Sequence, residues 1–215
     1  MNRSLFHAGL TAWLILAAFV SAAAALAAEP VIVVLGDSLA AGLGLPEDQS
    51  FPSQLEKALR AKGQNVRIVN AGVSGDTAAN GLARLDWAVQ PEASAVIVEF
   101  GANDALQGMP PQATKQALEE ILKRLQAKGL PVLLAGMQAP RNIGKEYVEA
   151  FGAVYRDLAQ RYDVVFYSFF LDGLVGDTSL FQGDGLHPNA KGVTKIVEGI
   201  LPKVDELLAK VQAKQ

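Results

Sequence analysis

Cysteine is absent from the 215 residues. That excludes a disulfide-stapled scaffold, thiolate-bound zinc, iron–sulfur chemistry, a thiol nucleophile and lipidation through an N-terminal cysteine. Histidine is nearly absent, with two in the chain, His7 and His187, so a metal site would have only carboxylates to draw on and no metal or other cofactor is expected. No block of one charge sign occurs either. Lys and Arg total 19 against 22 Asp and Glu, for a formal charge of −3, and a mildly acidic chain without a basic cluster lacks the footprint of nucleic-acid binding. Gly36, Gly42 and Gly44 do not make G-x-G-x-x-G, and no G-x-x-x-x-G-K-[ST] follows a strand, so neither a dinucleotide nor a phosphate loop is present. Internal repeats, low-complexity tracts and linkers are missing too, which leaves a single domain.

What is present is apolar. Half the residues are hydrophobic, enough for a full core. Part of that belongs to the N-terminus, where Arg3 is followed by an apolar run through Leu10, Trp13, Leu14, Ile15, Leu16, Phe19 and Val20, ending in small residues. Ala25-Leu26-Ala27 fits an A-x-A cleavage site, so residues 1–27 read as a secretory signal cut before Ala28 or Glu29, with residues 28–215 as the mature domain. The run is about long enough to span a bilayer, but no basic stop-transfer flank follows it. A periplasmic or extracellular monomer, with no stable membrane insertion once the signal is cut, is the expectation. Cleavage also removes His7 and leaves His187 alone.

From Pro30 onward, β-branched runs alternate with amphipathic stretches. Val31–Leu35, Val66–Asn70, Ala95–Phe100, Val132–Ala135 and Val164–Tyr167 are nearly continuous apolar runs, as parallel strands covered on both faces should be. Gln112–Lys128 places Ala113, Ala117, Leu118, Ile121, Leu122 and Leu125 on one helical face before Gly129-Leu130-Pro131 stops it. A last helix starts near Asn189, with Pro202 predicted to interrupt and kink it. Alternating β–α units of this kind predict a three-layer α/β/α domain, flavodoxin-like, around a five-stranded parallel sheet. Ligands of such sheets gather at the carboxyl ends of the strands.

Four loops there carry chemistry. Gly36-Asp37-Ser38-Leu39 lifts a serine hydroxyl to a helix mouth, although a capping serine explains the same residues. Asn70-Ala71-Gly72-Val73-Ser74-Gly75-Asp76 offers a glycine N–H, from Gly72, to an oxyanion, or else a tight turn capped by Asp76 or Thr77. Gly101-Ala102-Asn103-Asp104 offers a carboxamide, or ordinary turn chemistry. Gly183-Asp184-Gly185-Leu186-His187-Pro188 sets a carboxylate three residues from the only mature histidine, where it can orient an imidazole that takes a serine proton. Ser74 lacks any G-x-S-x-G setting.

The order and wording of these pieces resemble the GDSL, or SGNH, hydrolase superfamily over nearly the whole mature chain. NAGVSGDTAANGLARLDW and EFGANDALQG are similar to the bacterial periplasmic thioesterase I/lysophospholipase/arylesterase group. The resemblance implies the SGNH hydrolase fold, Ser38 as nucleophile, His187 as general base and Asp184 as its orienting carboxylate. It also implies an oxyanion hole from Ser38 N–H, Gly72 N–H and the Asn103 side chain. The expected reaction is hydrolysis of carboxylic esters such as aryl esters or lysophospholipids, and of acyl thioesters. Two other readings use the same residues: a carbohydrate or peptidoglycan O-acetyl esterase, and a non-catalytic binding module. For substrate contacts, Leu106, Gln107, Gly108 and Met109 form a candidate flap over the acyl group, with Met137–Gly144 and Phe169–Phe181 as further wall. An ordinary surface loop before a helix explains Leu106–Met109 equally well.

Overall fold

The computed structural model describes residues 29–214; the signal-like segment lies outside the described residues. Five strands form one sheet: β1 (Val31–Gly36), β2 (Arg67–Gly72), β3 (Ala95–Glu99), β4 (Val132–Ala135) and β5 (Val165–Tyr167). All pair in parallel, in the order β2-β1-β3-β4-β5. The predicted five-stranded parallel sheet is therefore present, with strand ends shifted by one or two residues. Every residue of β1, β3 and β4 is buried. The edge strand β2 departs from the expected two-sided cover, because Arg67 and Asn70 face solvent. It also runs two residues further than predicted, since Ala71 and Gly72 still pair with Leu35 and Gly36.

The helices are α1 (Ser38–Ala41), α2 (Phe51–Ala61), α3 (Ala78–Ala83), α4 (Leu85–Ala88), α5 (Ala102–Leu106), α6 (Pro111–Ala127), α7 (Lys145–Arg161) and α8 (Ala190–Gln212). On one side α2 packs against α8, and on the other α6 packs against α3 and α7. These are the outer layers, and each buries an apolar stripe. In α6 that stripe is Ala117, Leu118, Ile121, Leu122 and Leu125, joined by Thr114 rather than the predicted Ala113. Pro111 starts α6 in its first turn, where a missing N–H costs nothing. Pro202 does not interrupt α8, which is helical from Ala190 to Gln212. Both Pro202 and Glu198 are exposed, so the Glu198 carbonyl that loses its donor can be hydrated instead. Among the described residues no helix is long and apolar enough to cross a membrane.

Strand order sets where a site can form. The chain goes from β1 outward to β2, then returns to β3 on the other side of β1, so the crevice at the carboxyl ends of β1 and β3 is the switch point. Gly101, just past β3, turns the chain into α5 with φ of 118°. A Cβ there would also run into the Tyr155 hydroxyl, which donates to Phe100 O (2.9 Å). We expect Gly101→Ala to lower stability by at least about 2 kcal/mol, from backbone strain alone of roughly 1–3 kcal/mol plus the clash. The urea midpoint at constant slope checks this.

Candidate active site

Ser38 is the first residue of α1, lifted off the end of β1 by Gly36 and Asp37. Its Oγ lies 2.9 Å from His187 Nε2. His187 Nδ1 lies 2.6 Å from Asp184 Oδ2. The other Asp184 oxygen accepts the backbone N–H groups of Leu186 (2.9 Å) and His187 (3.0 Å). These bonds hold the Asp184 carboxyl far below the usual carboxylate range, the imidazole contributing most. An ionised Asp184 keeps the proton on Nδ1 and leaves the Nε2 lone pair facing the serine hydroxyl. Ser38 and His187 are 149 residues apart in sequence, so only the folded sheet brings them together.

The histidine loop is itself anchored. Gln182 N donates to His187 O (2.7 Å), and Gln182 Nε2 donates to Pro188 O (3.0 Å) and to Leu43 O (2.7 Å), beyond α1. Asn189 caps α8 by accepting the N–H groups of Lys191 and Gly192, and its own Nδ2 donates to Ser179 O and Phe181 O.

Asn103 lies in the first turn of α5. Its Nδ2 donates to Asp76 O (2.9 Å) and to Asp37 Oδ2 (3.2 Å). Gly72 is placed differently from its predicted role. Its N–H donates to Asn70 Oδ1 (3.0 Å), and a Cβ would collide with the α1 backbone at Ala40 and Ala41. Close packing of β2 under α1 is therefore what requires a glycine at this position. In the same loop Gly75 has φ of 88°, and no hydrogen bond engages its N–H or that of Ser38 among the described residues. Thr77, not Asp76, caps α3, in a reciprocal capping box with Asn80.

Three further side chains brace the site without having been singled out from the sequence. Arg84 Nε donates to Asp76 Oδ2 (2.6 Å), Nη1 to Ala71 O (2.8 Å) and Nη2 to Gly36 O (2.9 Å), and its guanidinium lies over the Phe100 ring. Asp37 is fully buried and caps α1 by accepting Leu39 N–H (2.9 Å). Glu99 is fully buried beneath it. Nothing in local sequence flags Arg84 or Glu99, because each acts on loops far from it along the chain. Asp104 is buried as well, but it accepts Ala78 N–H and the Thr114 hydroxyl, joining α3 to α6.

Residues 34–195 match the GDSL-like Lipase/Acylhydrolase family. The chain belongs to this family. It is an esterase, as its relatives' names indicate. It is 40% identical over 183 residues to Esterase TesA of Pseudomonas aeruginosa, covering 85% of this chain and 91% of that one. It is 36% identical over 183 residues to Thioesterase 1/protease 1/lysophospholipase L1 of Escherichia coli K12, covering 85% and 86%. Among solved structures, TesA superposes with a TM-score of 0.79 at 39% identity, over 82% of this chain and 99% of that one. The SGNH-hydrolase family esterase AlinE4 superposes with a TM-score of 0.72 at 43% identity, over 85% and 98%. In this GDSL hydrolase, the predicted flap Leu106–Met109 closes off α5, with Gly108 at φ of 64° and Met109 O accepting the Tyr147 hydroxyl (2.7 Å). Beside the histidine loop lies a groove of about 630 Å³, and none of those four residues lines it. Its walls come from Gln138–Arg141, from Phe169, Leu171, Val175 and Phe181, and from Leu186 next to His187.

Asp184→Asn should lower kcat by about 10³–10⁴-fold with KM little changed, because the imidazole loses the tautomer that faces Ser38. Asp184, held far below the usual carboxylate range, stays ionised from mildly acidic to neutral pH, so its protonation should not limit activity there. Steady-state kinetics of both proteins over that range checks both statements.

Proposed function

We propose that this GDSL hydrolase cleaves acyl esters by way of a covalent intermediate on Ser38. The observation that carries the reading is the unbroken line Ser38 Oγ, His187 Nε2, His187 Nδ1, Asp184 Oδ2, with contacts of 2.9 and 2.6 Å. His187 accepts the Ser38 proton as Oγ attacks the ester carbonyl, then returns it to the departing alcohol. Water activated by the same imidazole releases the acid.

The negative charge that develops on the carbonyl oxygen is met by Ser38 N–H, Asn103 Nδ2 and a backbone N–H of the loop after β2. In that loop the N–H groups of Ser74 and Gly75 are both without an acceptor among the described residues, and we assign the third donor to Gly75, with φ of 88°, rather than to Gly72. As a stronger acceptor than a peptide carbonyl, the oxyanion draws one Asn103 hydrogen away from Asp76 O.

The groove beside His187 argues for the acyl side of the substrate. Phe169, Leu171, Val175, Phe181 and Leu186 offer apolar walls that an acetyl group would not fill, which favours a medium or long acyl chain over the O-acetyl reading. The relatives named arylesterase and lysophospholipase point the same way, and a thioester would follow the same path. The signal-like segment led by Arg3 supports a periplasmic or extracellular setting, where such an enzyme meets lipid esters.

The test is turnover of p-nitrophenyl esters from acetate to palmitate by the purified protein, alongside Ser38→Ala. Rates should peak beyond acetate and vanish in the variant. A peak at acetate would favour a deacetylating role, and a rate independent of Ser38 would overturn the assignment.

A further inference from the structure

Immediately behind Ser38 lie two buried carboxyl groups that the mechanism above does not use. Glu99 ends β3 beside Gly36 of β1, and both it and Asp37 are fully buried. Glu99 Oε2 accepts Asp37 N–H (3.3 Å), while Oε1 has no partner among the described residues. The space for this acid comes from Gly36: a Cβ there would lie 2.6 Å from Glu99 Oε2. The glycine that opens the serine motif thus leaves room for a buried acid.

Burial pushes Glu99 well above the usual carboxylic-acid range, and the neighbouring Asp37 charge adds to this. Burial likewise lifts Asp37 to about 6, against the lowering effect of its bond from Leu39 N–H and of the His187 and Asn103 side chains. Burial thus raises both carboxyls, and the charge of Asp37 works against ionisation of Glu99. The Asp37 side chain has two tasks. Oδ1 caps α1 through Leu39 N–H, and Oδ2 accepts from Asn103 Nδ2.

We infer that Asp37, backed by buried Glu99, is the positioning residue for the Asn103 carboxamide: together with Asp76 O it fixes the Nδ2 group, and it keeps one hydrogen while the other leaves Asp76 O for the oxyanion. The inference rests on the reading of Asn103 as an oxyanion donor. A carboxamide free to rotate would present its carbonyl oxygen as readily as its NH₂. An acceptor fixed on one hydrogen removes that alternative before substrate arrives, and such pre-orientation is what makes an oxyanion donor effective.

Asp37→Asn separates the two tasks. Asn caps a helix as well as Asp does, but it offers Asn103 an NH₂ in place of an acceptor oxygen. We expect kcat to fall about 10²-fold with KM within about threefold, as for loss of one oxyanion donor. Asn103→Ala should lose about 10²–10³-fold, and the double variant should be no slower than Asn103→Ala by more than about threefold. Glu99→Gln, which keeps an oxygen to accept Asp37 N–H, should stay within about threefold of wild type, whereas Glu99→Met should lose at least about tenfold in kcat, without adding to Asn103→Ala. The Glu99 pair keeps the test decisive should Asp37→Asn fold poorly.

Losses that multiply in the double variants, or an unchanged kcat in Asp37→Asn, would overturn the inference even with Ser38-dependent turnover intact. Absence of Ser38-dependent turnover in the wild-type protein would instead remove the reading on which it rests.

Discussion

The catalytic end depends on the register of one residue. Gly36, the last of β1, pairs with Gly72 of β2 on one side and Glu99 of β3 on the other. Because β1 lies between strands that the chain visits in opposite directions, the loops leaving all three diverge around one crevice. Ser38 enters it from β1, the Gly75–Asp76 turn from β2 and Asn103 from β3. A one-residue slip of β1 would turn its buried side chains to the opposite face and carry Ser38 away from His187.

One cation then ties these loops together. Arg84 donates to Gly36 O and Ala71 O and forms an ion pair with Asp76, and the Asp76 carbonyl in turn accepts from Asn103, which also donates to Asp37. The bonds close a ring from the serine strand through the loop after β2 and back. Arg84 and Asp76 are both largely buried, with side-chain exposures of 16% and 14%. Removing either partner would leave the other charge poorly solvated and uncompensated, which is far more damaging than loss of a surface pair. The histidine arrives by a different route, on a loop pinned by Gln182 and Asn189 that, among the described residues, shares no hydrogen bond with this ring. The two halves of the site are held separately and meet only at the serine.

Much of this was legible in the chain itself. The near-continuous apolar runs announced buried parallel strands, because strands covered on both faces have no polar side to show. The nucleophile motif and the Asp184–His187 pair stood out because each is a short local pattern whose spacing suits its chemistry. Prediction failed where the deciding contacts are long-range. Gly72 looks like an oxyanion donor until β2 is seen to run two residues further, which turns its N–H toward Asn70. Pro202 looks like a helix break until its solvent-facing position is known. Glu99 reads as a polar residue at the end of a strand, and only the pairing of β1 with β3 shows that it sits beneath Asp37. The apolar groove, by contrast, is built by the loops after β4 and β5, within the segments 137–144 and 169–181 read from sequence as acyl wall.

The central claim is that the Ser38 hydroxyl forms the covalent bond to the acyl group. Its most direct test is the intact mass and peptide map of the protein, acid-quenched during turnover of an activated ester. The account predicts a single acyl adduct on the peptide containing Ser38, absent from Ser38→Ala and formed far more slowly in His187→Ala. An adduct on another residue such as Ser74, or turnover through Ser38→Ala with no adduct at all, would contradict it.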